Sequence, residues 1–207
     1  VGQKAAFDVV ASFALLYFLR NPCLKVFLVG WMAHQLSLIG KRMKAKQDAA
    51  IKVQTAGELS QRLLQQLPFS PTNAQSRVFQ EILTDLGAGH PMLRLVQGDV
   101  GSGKTLVAAL AAASVVQAGY QVAIMAPTEI LAEQHYNNFR QWFKPLGLNV
   151  AWMIGKLKGK VREKELADIA SGAAHIVVGT HALFQDTVEF DRLALAIIDE
   201  QHRFGVH

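Results

Sequence analysis

Cysteine is almost missing: Cys23 is the only one among 207 residues. A lone thiol excludes an internal disulfide framework and fits a reducing cytoplasm. No His or Asp is placed to activate it, so Cys23 reads as an apolar filler. Long uninterrupted apolar runs are lacking too. Residues 9–17 and 24–29 are apolar, but Arg20-Asn21-Pro22 and Lys25 break them, and a spanning helix needs about twenty apolar residues in a row. No small-residue cleavage site follows, as a secretory signal would require. Residues 1–30 therefore read as a buried helical hairpin or a poorly specified segment, with no membrane role. There is no internal repeat and no low-complexity stretch. Charge is modest, with 18% charged residues and a net +5, a bias that suits a polyanionic partner without requiring one.

What is present is apolar and punctuated. Hydrophobic residues make up 51% of the chain, enough for one full α/β domain with a proper core. In its middle stands Gly98-Asp99-Val100-Gly101-Ser102-Gly103-Lys104-Thr105, the spacing of a phosphate-binding loop. Met92 to Val96 reads as a short buried strand before it. Leu106 to Gln117, rich in alanine, reads as a helix after it. In that context the loop wraps a polyphosphate with backbone N–H groups at a helix N-terminus, where partial positive charge favours an anion. Lys104 would reach the β- and γ-phosphates of ATP, and the Thr105 hydroxyl would ligate Mg2+.

The flanking pattern divides the chain at Pro68 and Pro71. Residues 1–66 form a helical N-terminal segment, its residues 31–66 amphipathic and carrying a basic stretch at Lys41-Arg42-Met43-Lys44-Ala45-Lys46. Residues 67–207 form the nucleotide domain. Thr72-Asn73-Ala74-Gln75 fits a capping box, Thr72 bonding forward and Gln75 bonding back. After the loop, strands are predicted at 121–125, 150–154, 175–178 and 193–198, and helices at 129–142 and 160–171, with Thr128 as the N-cap of the first. Such alternation implies a parallel sheet wrapped by helices.

Asp199-Glu200-Gln201-His202 follows the apolar run Leu193 to Ile198. In an open parallel sheet, ligands bind beyond the carboxyl ends of the strands. Two carboxylates would thus stand beside the phosphate loop. Asp199 would hold the magnesium, usually through water, and Glu200 would orient or deprotonate the attacking water. His202 has no second His or Cys at ligand spacing, which argues against a metal site there.

A phosphate loop followed by an Asp-Glu-x-His box, with β/α alternation between, resembles the first motor domain of superfamily 2 helicases and translocases. Four strings narrow the resemblance to the RecG-type helicases, which remodel stalled forks and Holliday junctions with ATP. They are Leu95-Val96-Gln97 running into the phosphate loop, Ala126-Pro127-Thr128-Glu129-Ile130-Leu131-Ala132-Glu133-Gln134-His135, Gly179-Thr180-His181, and Asp199-Glu200-Gln201-His202-Arg203-Phe204-Gly205-Val206. The likeness covers residues 31–207. The transcription-repair coupling factors share much of this motor; Gln201 and Gly155-Lys156-Leu157-Lys158-Gly159-Lys160 favour the RecG type.

The resemblance implies a RecA-like P-loop NTPase lobe acting on branched or duplex DNA in repair and recombination. It implies that Gln75 reads adenine while Thr72 still caps. It places Pro127, Thr128, Glu129, Gly179, Thr180 and His181 along the nucleic-acid groove, and makes Gln201 and His202 a link between nucleotide and DNA. It also implies parts not seen in this sequence: a wedge built on an oligonucleotide-binding barrel, which residues 1–30 do not resemble, and a second motor domain. That second domain supplies arginines that raise turnover on the order of 10³–10⁵-fold in related NTPases. By itself, then, the chain is expected to bind nucleotide weakly, if at all, and to act as a nucleotide- or DNA-binding fragment with little catalysis.

Overall fold

The computed structural model describes residues 52–53, 57–99 and 101–199. The expectations for residues 1–51, and those for Val100, Glu200, Gln201 and His202, lie outside the described residues. The described residues fall in one unit that runs from Ala50 to His207. Helix α1, Glu58–Gln66, lies before Pro68 yet is built into this unit. Its Leu63 is fully buried, and its buried Ser60 hydroxyl lies 3.0 Å from the Ser114 hydroxyl, which satisfies two polar groups in the core.

Helix α2, Asn73–Gly87, starts at the expected capping box. The Thr72 hydroxyl accepts from the Gln75 N–H at 3.3 Å, and the Gln75 Oε1 accepts from the Thr72 N–H at 2.8 Å. Phe79, Ile82 and Leu86 recur at helical spacing and form its buried face. Helix α3, Lys104–Gln117, is buried along most of its length, from Leu106 to Val116. Alanine at 109, 111, 112 and 113 lets neighbours approach on every side.

Four strands follow: β1 at Gln121–Met125, β2 at Val150–Met153, β3 at Ile176–Gly179 and β4 at Leu193–Ile198. They form a parallel sheet in the order β2-β3-β1-β4. Parallel neighbours need crossovers, and helices α4, Glu129–Phe143, and α5, Gly159–Ala170, supply two of them. The central strands β1 and β3 are buried throughout, as expected of a sheet covered on both faces. Alternation sends Val122, Ile124, Ile176 and Val178 into one core with α1, α2, α3 and α4. Met125, Ala151, Met153 and Val177 enter a second core with Ile169 of α5. This is the α/β architecture that the alternation implied.

One expected strand is corrected. Residues 92–96 form no strand, and Leu93 and Leu95 are 69% and 67% exposed. A strand needs a neighbour, and among the described residues β4 pairs only with β1. The segment is held by its charge instead. Arg94, in the middle of the apolar run, reaches Glu81 and Asp85 of α2, each at 2.7 Å. The hydrogen bond it donates to Asp85 is the largest influence holding the Arg94 guanidinium above its ordinary pKa. Half-exposed pairs of this kind contribute about 0–1 kcal/mol each, so they orient the segment more than they stabilise it.

At the other end of the sheet, the buried Gln121 amide joins three elements. Its Nε2 donates to the carbonyls of Ile169 and Ala174, and its Oε1 accepts from the Arg192 N–H. Gly179 is needed by packing. A Cβ there would collide with the backbone carbonyl of Met153 on the adjacent strand, and backbone cannot swing aside. We expect Gly179→Ala to cost about 3 kcal/mol and lower the melting temperature by roughly 10 °C. A thermal melt within 2 °C of wild type, by the roughly 3 °C per kcal/mol typical of a domain this size, would contradict that packing role.

Candidate nucleotide site and nucleic-acid edge

The register brings four strand ends level. Met125 pairs with Gly179 and with Ile198, and Gly179 pairs with Met153. The turns that follow β1, β3 and β4 therefore leave from one edge, carrying Pro127-Thr128-Glu129, Thr180-His181 and Asp199. Helix α3 runs into β1 through the short turn at Ala118–Tyr120 and packs on β1 and β4. It is thus antiparallel to β1, and its N-terminus, with the phosphate loop, comes to this same edge.

The loop is shaped by glycines in the left-handed region. Gly101 has φ +80° and Gly103 has φ +77°, conformations that cost a residue bearing a Cβ roughly 1–2 kcal/mol. A Cβ at Gly103 would also strike the Gln75 amide. Gly103 is the N-cap of α3, and no side chain caps that end, so the first-turn N–H groups carry the helix's partial positive charge toward the loop. Ser102 closes the turn with its N–H on the Asp99 carbonyl at 3.1 Å.

Two expected ligand-binding side chains are engaged within the loop. Lys104 Nζ donates to the carbonyls of Gly98 and Asp99 at 2.7 and 2.9 Å. Gln75 Nε2 donates to the Ser102 carbonyl at 2.8 Å, which ties the start of α2 to the loop. Lys104 and Thr105, the first two residues of α3, are half-buried. Asp199 closes β4 with its N–H on the Met125 carbonyl at 2.9 Å. Its Oδ2 lies 2.7 Å from the Nε2 of His135 on α4.

The groove residues divide by exposure. Thr128 is the N-cap of α4, its hydroxyl accepting from the Leu131 N–H at 3.3 Å. Glu129 is held by Lys156 at 2.7 Å, which joins this turn to the lysine-rich segment after β2. Thr180 is only 3% exposed, and its N–H bonds the Met153 carbonyl. Gly179 and Thr180 thus belong to the sheet, whereas His181 is exposed beside them.

A family profile described as DEAD/DEAH box helicase matches residues 72–207. The chain belongs to this family. Nucleotide binding is typical of this family. Among curated relatives, the lobe is 61% identical over 176 residues to the ATP-dependent DNA helicase RecG of Haemophilus influenzae, covering 85% of this chain and 25% of that protein. It is 56% identical over 183 residues to the RecG of Escherichia coli K12, covering 88% and 26%. A solved structure of RecG bound to a three-way DNA junction superposes with a TM-score of 0.76 at 44% identity, over 82% of this chain and 23% of that one. The helicase-family lobe thus spans about a quarter of the length of the relatives it matches. Among the described residues, no helix is long and apolar enough to cross a membrane.

Sequence reasoning missed His135. Its signal was available: on α4 the buried positions Ala132, Phe139 and Phe143 mark the inward stripe, and His135 stands on it. A polar group on such a stripe needs a partner. What the sequence did not show is that the partner is the Asp199 carboxylate.

Proposed function

We propose that this chain is the first motor lobe of a RecG-type ATP-dependent helicase or translocase acting on branched DNA in repair and recombination. One observation carries the reading: the phosphate loop, the Asp199 turn and the Thr128 and His181 turns leave from a single edge of the sheet. A nucleotide and a DNA strand bound there would share the same short backbone segments.

The loop N–H groups and Lys104 would bind the ATP phosphates, Lys104 exchanging the carbonyls of Gly98 and Asp99 for phosphate oxygens. The Gln75 amide offers both a donor and an acceptor to adenine, and would leave the Ser102 carbonyl to do so. Thr105 and Asp199 form a hard oxygen donor set of hydroxyl and carboxylate, the kind that suits Mg2+. Bound there, the ion would neutralise phosphate charge. Glu200 would orient the attacking water. Thr128, His181 and Lys156 would contact the sugar-phosphate backbone, which positions a strand without reading its sequence.

The test is ATP turnover by the complete protein that carries this lobe, with and without a three-way DNA junction. Stimulation by the junction is expected; equal rates would overturn the proposal. DNA affinity should also fall linearly on a log–log plot against salt, with a slope near −0.9 per duplex phosphate neutralised. A flat response would rule out the phosphate contacts.

A further inference from the structure

Asp199 stands at the tip of β4, an edge strand among the described residues, where its backbone is fixed by the Met125 carbonyl. Backbone fixation does not orient a side chain. The carboxylate is 32% exposed and the His135 ring 15% exposed, with Nε2 and Oδ2 2.7 Å apart. An ionised carboxylate only accepts, so Nε2 carries the proton in this pair. Hydrogen bonds to a charged partner are the stronger kind. Their geometric content matters more here. His135 belongs to α4, which is anchored through Phe139 and Phe143, both at most 1% exposed. Its ring is therefore a strut from a rigid helix to a carboxylate at a strand tip.

We propose that His135 is a positioning residue for Asp199, setting the orientation in which that carboxylate meets nucleotide-bound magnesium. This rests on the nucleotide site proposed above. Helix α4 also begins at Glu129, six residues before His135 and directly after Pro127-Thr128. The strut thus gives the nucleic-acid turn a direct side-chain connection to the magnesium carboxylate. Every link in that connection lies within the described residues.

The experiment follows binding of a fluorescent ATP analogue to the complete protein that carries this lobe, over a titration with MgCl2. In wild type, magnesium tightens binding. His135→Phe keeps the ring volume and removes the donor. It should raise the magnesium needed for half-effect roughly tenfold, the equivalent of one charge-assisted hydrogen bond, and leave magnesium-free affinity unchanged. His135→Gln, which can present an N–H near the Nε2 position, should restore most of the response. Asp199→Asn should lose the response, and His135→Phe on top of it should add nothing, because the two act as one unit.

An unchanged magnesium response in His135→Phe overturns the proposal, as does equal weakening with and without magnesium, which is the mark of packing alone. If His135→Phe does not fold, His135→Asn carries the comparison. Its amide falls short of Nε2, so it should behave as Phe is expected to and unlike Gln. A wild-type complete protein that binds no analogue, or whose binding ignores magnesium, sinks the nucleotide reading of the site instead.

Discussion

Lys104→Ala is expected to abolish nucleotide binding while leaving DNA affinity unchanged. The lysine is the one side-chain cation inside the phosphate-loop segment. Its Nζ already sits among loop oxygens, bonded to the Gly98 and Asp99 carbonyls. Bound phosphate would replace neutral carbonyls with charged oxygens, so the bond that is lost in the variant is the charge-assisted one. Removing one partner of a hydrogen-bonded charge pair costs about 2–5 kcal/mol, a drop of roughly 30- to 4,000-fold in affinity. The fold should survive. Lys104 is half-buried at a helix start and packs no core, so the melting temperature should move little. Isothermal titration with ATP and magnesium, beside a DNA-binding titration, checks both halves. Retained ATP affinity would mean the loop does not bind phosphate through Lys104; a parallel loss of DNA affinity would mean the substitution acts on the fold.

The parts of this site that could be read in the sequence are those governed by local rules. The capping box spans four residues, and Thr72 and Gln75 make both of its bonds. The phosphate loop depends on left-handed glycines whose conformational freedom is intrinsic, at Gly101 and Gly103. Strand β1 occupies its predicted span because parallel strands buried on both faces are near-continuous apolar runs; β4 occupies its span too, although only Leu195 of it is buried. Residues 92–96 passed the same apolar test and failed as a strand, because a strand exists only beside another strand. Their Arg94 was the clue that the run had a polar partner, and that partner lies on α2. Gly179 and Thr180 carry a motif that resembles a nucleic-acid element. Their burial is imposed by Met153 on the adjacent strand, a contact that no local pattern encodes. The His135–Asp199 pair spans 64 positions. It could not be read before the sheet order was known, because the helix after β1 and the tip of β4 meet only once β1 and β4 are neighbours.

Glu200→Gln in the complete protein should leave ATP binding intact and remove turnover. Position 200 follows Asp199 directly, so a base there would work one residue beyond the carboxylate proposed to face magnesium. The amide is nearly isosteric with the acid and can still hold a water, but it accepts no proton at neutral pH. A positioned general base contributes about 10²–10⁴-fold, and that is the expected fall in kcat, with the ATP dissociation constant unchanged. The split separates this residue from its neighbours. On the proposed reading Lys104 would act on ground-state binding and Asp199 on the magnesium response, whereas Glu200 would act only where charge develops in the reaction. A single-turnover measurement with saturating ATP and junction DNA reads it directly. Turnover within about threefold of wild type, far short of what a lost general base costs, would move the base to another residue. A matching loss of ATP affinity would make Glu200 part of the binding site.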